Sequence, residues 1–302
     1  MKLWHYAWIV FLGGCCYGIL STFVKLAYAA GFSVSAVTGG QYLFGVILAW
    51  LVVLFTKKTQ LTRIQITKLL LSGIPFGLTG IFYYQALLTL DASLAIIFLF
   101  QFVWIGALLE WMLHKKKPTR SKLLSIGLLL IGSILAANIL FQEEMTLSLA
   151  GSIWGMLAAF SFSSFIFLSS TTERKAPPIL KSALLSTGGV IVVFCAFPPT
   201  FLFDLDVLIG VAPYGLALGL FGVVLPPLLF SIGMPHVGSG LGTILTASEL
   251  PVVIIMSSVV LGEVIALPQW IGVIIILIGI GSSNLRFTKP NKKAIAIQKS
   301  TS

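Results

Sequence analysis

Charge is what this chain has least of. Of its 302 residues only 9% are charged and 58% are hydrophobic, against roughly 25% charged in an ordinary soluble protein. The mean hydropathy is +1.05. This composition excludes a soluble globular fold and indicates an all-α polytopic membrane protein. Histidine is scarce as well: His5, His114 and His236 are scattered at the ends of apolar runs, so no metal site is expected. Cysteine is limited to Cys15, Cys16 and Cys195, all in apolar runs. Two adjacent cysteines make no disulfide framework, and all three read as small core residues. No Gly-Lys dipeptide occurs, which rules out a P-loop and direct use of ATP, and no G-x-S-x-G occurs either. The glycines from Gly238 to Gly242 follow no strand and read as packing rather than a dinucleotide loop. No cofactor is implied. Lacking a nucleophile with a base, the chain is not expected to be an enzyme. The first apolar run, from Tyr6, is too long for a signal-peptide core and reads as a retained helix.

What the chain has is apolar runs of about 20 residues, the length that spans a bilayer. Ten candidate spans cover 6–28, 36–56, 69–90, 92–113, 122–141, 149–170, 181–203, 207–232, 239–261 and 266–285. The net charge of +10 would suggest nucleic acid in a soluble protein; here its placement carries the information, and no nucleic-acid partner is expected. With the N-terminus in the cytoplasm, Lys57, Lys58, Arg63 and Lys68 fall inside after span two, and Lys115, Lys116, Lys117, Arg120 and Lys122 after span four. Arg174, Lys175 and Lys181 follow span six, and Arg286, Lys289, Lys292, Lys293 and Lys299 follow span ten. The opposite loops carry Asp91, Glu143, Glu144, Asp204, Asp206 and Glu263. Lys25 alone breaks the rule. Both termini are therefore expected in the cytoplasm of a plasma (cell inner) membrane protein.

Sliding the chain on itself by about 145 residues superposes spans one to five on six to ten. Five is odd, so the second half crosses in the opposite sense. The expected domains are two inverted five-helix repeats, 1–145 and 146–286, followed by a basic, disordered tail, 287–302, that could rest on anionic lipid. Small residues four apart recur as Gly14 and Gly18, Gly73 and Gly77, Gly151 and Gly155, Gly215 and Gly219, and Gly238 and Gly242, spacing that lets helix backbones approach.

Glu249 is the residue that fits this background least. A charge at the bilayer centre costs roughly 2.5–3.5 kcal/mol, so it should face the bundle interior. Pro251 cannot donate to the carbonyl of Ala247, which interrupts the helix beside the acid. At helical spacing Ser239, Gly242, Thr243, Thr246 and Glu249 share one polar face. The functional reading is a proton- or cation-binding group near the midplane; the bland one is a hydrogen-bonded structural glutamate holding a kinked helix. Lys25 continues the face of Gly14, Gly18 and Ser21. It either snorkels to the interface or anchors a substrate carboxylate or an acidic group, with Glu249 too deep for direct pairing. Gln101 and Trp104 share a face of span four, while Glu110 should pair with the basic loop after it. Tyr83, Tyr84 and Gln85 suit a partly apolar pocket but also an interface. Trp4, Trp8, Trp50 and Trp270 read as interfacial anchors. Pro75, Pro226 and Pro227 kink spans three and eight and, with Pro251, are candidate hinges or packing features.

The second half resembles the EamA family of the drug/metabolite transporter superfamily. The likeness lies in Glu249-Leu250-Pro251, in Leu261-Gly262-Glu263 and in the run from Gln269 to Ile280. The first half departs from it, with Lys117 and Pro118 standing where a second L-G-E would fall. The resemblance implies a secondary transporter for small metabolites, often an exporter of amino acids or related compounds, working by alternating access. A coupling proton and the lipid bilayer are the other partners expected. The central cavity should be lined by spans including one, three, four, six, eight and nine. A membrane scaffold or sensor whose carrier fold no longer transports is the alternative reading.

Overall fold

The computed structural model describes residues 3–56, 60–90, 92–115, 117–138 and 148–284. The tail 287–302 lies outside the described residues, as do Lys57, Lys58, Asp91, Lys116, Glu143, Glu144 and the basic cluster from Arg286 to Lys299. Helices α1 (Leu3–Ala29), α2 (Val34–Leu54) and α3 (Arg63–Leu87) come first. Then α4 (Ala92–Phe100) and α5 (Phe102–His114) form one column broken at Gln101, and α6 (Arg120–Ala136) ends the first half. The second half runs through α7 (Leu149–Thr171) and α8 (Pro178–Ala196) to a column of α9 (Leu205–Leu218), a π-helical stretch Gly219–Val224 and α10 (Leu225–Val237). A broken column of α11 (Ser239–Thr246) and α12 (Glu249–Leu261) follows, then α13 (Leu267–Asn284).

Hydroxyl side chains start several of these helices, in keeping with the shortage of charge. Ser33, Thr119 and Ser148 each accept a hydrogen bond from the backbone N–H three residues on. Thr62 does so within a capping box completed by Gln65. Asp204 caps α9, accepting from the N–H groups of Asp206 and Val207.

Among the described residues, eight helical columns are long and apolar enough to cross a membrane. The two described helices outside this count are α6 and α13; the 17 residues of α6 extend about 26 Å at 1.5 Å per residue, against a hydrocarbon core of about 30 Å. These two helices pack on each other. Ser121 donates to the carbonyl of Ser282 at 2.8 Å, and Gln269 donates to that of Ala136 at 3.2 Å, so they lie antiparallel.

The rest of the bundle is built between halves. Helix α1 packs on α10 and α12, α3 on α7 and α8, α2 on α8 and α9, and α5 on α7 and α11. Exchanging each column for its counterpart in the other half maps this set onto itself. Close approach requires glycine at the α3–α8 contact, where a Cβ on Gly77 would stand 3.1 Å from the Cα of Gly189.

Two local expectations change and one is met. Lys181 does not belong to a loop: it lies in α8 at 1% exposure, its ammonium donating to the carbonyls of Ser169 at 2.9 Å and Thr172 at 2.7 Å. There it satisfies orphan acceptors at the C-terminal end of α7. Cys195 is exposed rather than in the core, and Cys15 and Cys16 are half-buried; all three are free thiols. Glu110 pairs with Lys122 at 2.8 Å, as its position beside the basic loop suggested.

Candidate functional site

The site grows from the break in the α11–α12 column. With no N–H on Pro251, the Ala247 carbonyl takes a bond from the N–H of Leu250 at 3.4 Å, and Ser248 N–H donates to Leu245 at 3.2 Å. Both bonds span three residues, so the chain tightens into a turn at Ala247 and Ser248. The Ser248 hydroxyl then donates to the carbonyl of Phe11 at 2.7 Å, tying the turn to α1. Gly14 and Gly18 admit the contact: a Cβ on Gly14 would fall 2.7 Å from the Thr246 carbonyl oxygen, and one on Gly18 would fall 3.0 Å from Cγ1 of Val252.

Glu249 restarts the helix as the first residue of α12, where the dipole of the helix N-terminus favours a carboxylate. Its side chain lines a cavity of about 360 Å³, within the roughly 300–1,000 Å³ typical of small-molecule sites. Among the described residues, none hydrogen-bonds or ion-pairs with the Glu249 carboxyl. The cavity runs from Lys25 and Tyr28 near one end of α1 down to Glu249, Tyr17 and Phe162. Below it a ring cluster closes the bundle. Tyr17 meets Phe162 and Phe230 edge-on, Phe102 meets Phe162, and Phe165 lies against Phe76 and Phe230.

At the mouth, Lys25 forms an ion pair with Glu263 at 2.8 Å, both side chains about half exposed. Glu263 also accepts a hydrogen bond from Ser257. The Lys25 hydrogen bond and then that of Ser257 hold the Glu263 carboxyl below the usual carboxylate range. Gly262, with φ of 67°, makes the reversal that returns Glu263 toward its helix; a left-handed residue there explains the glycine of Leu261-Gly262-Glu263.

Of the residues singled out in the sequence, Glu249, Lys25, Ser21, Tyr83 and Tyr84 line this cavity. Thr243, Thr246, Gln101 and Trp104 are not among its lining residues. Thr246 donates to Gly242 at 2.9 Å and Thr243 to Gly240 at 3.3 Å, and both are fully buried. The turn at Ala247 rotates Glu249 off their face, so the continuous polar stripe read from helical spacing is interrupted. Gln101 sits at the break of the α4–α5 column, its amide donating to the carbonyl of Ile97 at 3.0 Å and its oxygen accepting from Trp104 at 2.8 Å. Pro75, Pro226 and Pro227 also lie outside the lining. Pro226 and Pro227 follow the π-helical stretch, and the Val223 carbonyl that Pro227 cannot serve accepts instead from Ser186 at 2.8 Å.

Two elements differ from the expected lining. No residue of the α9–α10 column lines the cavity, whereas α2 contributes Gln41 and Tyr42. Tyr42 donates to the Phe76 carbonyl at 3.1 Å, and Tyr84 to Gln41 at 3.5 Å. A glutamine inside an apolar run was the signal for α2; polar groups there face a bundle interior or a cavity. Tyr17 and Tyr28 of α1 carried no comparable mark. A second, smaller cavity of about 300 Å³ at the other end is lined by Glu110, His114, Ser170, Arg174, Gly238 and Ser239. Among the described residues, no group of three or more His, Cys, Asp or Glu side chains could hold a metal.

Comparison with known proteins agrees with this architecture. The model of the EamA-like transporter family matches twice, over residues 4–138 and 149–285. One crystal structure superposes with a TM-score of 0.71, covering 91% of this chain and 98% of its own at 14% identity, a likeness that concerns the fold alone. No curated protein matches the sequence.

Proposed function

The chain belongs to the EamA-like transporter family, and from that premise we propose that it is a secondary carrier, not an enzyme, moving a small metabolite such as an amino acid or related compound across the plasma membrane. The two repeats cross as ten helices in opposite senses, α6 and α13 being the short fifth member of each. The exchange of packing partners between halves and the segregation of lysine and arginine support this arrangement, with both termini cytoplasmic. Transport proceeds by alternating access. The cavity opens at the Lys25 end while the ring cluster around Phe162 seals the basic end, and the proline-associated breaks at Pro75, Pro226, Pro227 and Pro251 supply the flexing points. The direction is export, as the family likeness suggests.

The observation that carries the reading is the Glu249 carboxyl, unpartnered among the described residues and facing a cavity of molecular size. An acid with no structural partner is costly to keep at membrane depth and needs a use; proton coupling is the one proposed. Substitution Glu249→Gln should abolish flux driven by a pH gradient in reconstituted vesicles, for a ligand first found by its stabilisation of the purified protein, while leaving folded protein in the membrane. Undiminished coupled flux in that variant would sink the coupling role.

A further inference from the structure

Tyrosine is concentrated in one place. The sequence holds seven, and Tyr17, Tyr28, Tyr42, Tyr83 and Tyr84 all line the central cavity. Phe76 and Phe162 add two more rings. The hydroxyls of Tyr17 and Tyr28 are buried with no hydrogen-bond partner among the described residues. A buried unsatisfied hydroxyl is costly, and these two line the cavity from its Lys25 end to its Glu249 end, where polar groups of a ligand can reach them.

The charges around the cavity have one sign to offer. Glu249 is unpaired among the described residues, and the lining cation, Lys25, is already engaged by Glu263 at the half-exposed mouth. The depth of the cavity therefore presents ring faces, hydroxyl oxygens and a carboxyl group, without a free cation. The negative face of an aromatic ring attracts an ammonium group, most strongly where water is excluded. A carboxylate and hydroxyl oxygens accept its N–H donors. The remaining wall, including Leu20, Val24, Ile96 and Leu99, suits a hydrocarbon body.

We infer that the cavity binds small amphipathic organic cations, amines with an apolar body, in preference to the amino acids that carry the same side chain. The inference rests on the carrier reading of the same site and narrows it. A zwitterion brings a carboxylate toward Glu249 and toward the ring faces, with no donor cation to receive it unless the Lys25–Glu263 pair breaks. Removing that carboxylate removes the conflict and leaves the favourable half of the ligand.

Four probes with one phenethyl body test this on the purified full-length protein: phenethylammonium, its N,N,N-trimethyl derivative, phenylalanine and 3-phenylpropionate, with affinities measured calorimetrically. Both cations should bind at least roughly tenfold more tightly than phenylalanine, and 3-phenylpropionate should be the weakest. Glu249→Gln should weaken both cations by roughly tenfold or more while removing the preference over phenylalanine. Tyr83→Phe, which keeps the ring, should retain cation binding that Tyr83→Leu loses. Phenylalanine binding as tightly as the cations, cation affinity unchanged in Glu249→Gln, or no cation binding at millimolar concentration would each overturn the assignment. A cation that binds but never crosses vesicles under any imposed gradient would refute the carrier reading and leave the ligand class standing. Phenylalanine flux without cation binding would do the reverse.

Discussion

Glu263 and Glu249 are the same side chain in opposite company. Glu263 lies just past the end of α12, held by Lys25 and Ser257; Glu249 stands at the start of that helix with no partner among the described residues. Because Glu263 is held below the ordinary carboxylate range, its pair stabilises the fold above that range, near pH 4.3 in model compounds. The contribution is lost as pH falls through the depressed folded value. Both partners are half-exposed, so solvent screening keeps the effect within about 1 kcal/mol. Glu263→Gln should accordingly lower the unfolding temperature slightly near neutral pH, and the gap to the native protein should close as pH falls through the depressed folded value. An equal gap at both ends of that titration would show that the pair contributes nothing through its charge. An acidic partner was one of the readings that the face of Lys25 allowed in the sequence, beside snorkelling to the interface and a substrate carboxylate. Which acid was not legible, since the encounter joins residues 238 apart and depends on the left-handed turn at Gly262. Lys181 was misread for a related reason: its donors serve carbonyls of a neighbouring helix end, a contact that hydropathy does not encode.

Each half breaks its fourth helix at the corresponding place, with nine residues before Gln101 and 13 after, and eight before Ala247 and 13 after Ser248. The second break was legible because proline announces it. The first was not, because Gln101 builds it by donating its own amide to the Ile97 carbonyl, chemistry open to a glutamine anywhere. Lining residues followed the same rule. Span faces with charges or paired tyrosines could be picked out, while Gln41 and Tyr42 passed unnoticed in an apolar run. The glycines of α1 were legible as a packing face but not as the seat for the turn of another helix. Substitution distinguishes them from glycines that touch nothing. Gly14→Ala places a methyl within 3 Å of Thr246 backbone and should destabilise by roughly 1–3 kcal/mol through overpacking. In α6, Gly127 has open space around it, so Gly127→Ala should be neutral or stabilising by up to about 1 kcal/mol, the ordinary helix preference. Thermal unfolding of the two variants in one detergent compares them directly. Equal effects would mean that the α1 contact is looser than its geometry.

Among the described residues, charge other than that of Glu249 sorts to the two ends of the bundle. The Lys25–Glu263 pair, Asp204 and Asp206 stand at one end, and Arg63, Glu110 with Lys122, Arg174 and the buried Lys181 at the other. In a chain whose native cysteines are replaced, Asp204→Cys should react with an impermeant thiol reagent added outside intact cells, and Lys175→Cys only after the cytoplasm is opened. The reverse pattern would invert the proposed orientation. The packing between halves has a further consequence. The glycine faces of α1 at Gly13, Gly14 and Gly18 are covered by α10 and the α11–α12 column, and those of α3 at Gly73 and Gly77 by α8. Residues 149–261 must therefore be synthesised before the first half can be enclosed, a delay of several seconds or more at roughly 5–20 residues per second. During that interval the early helices stand in the membrane as an open half-shell, and the order of synthesis becomes part of how the cavity is made.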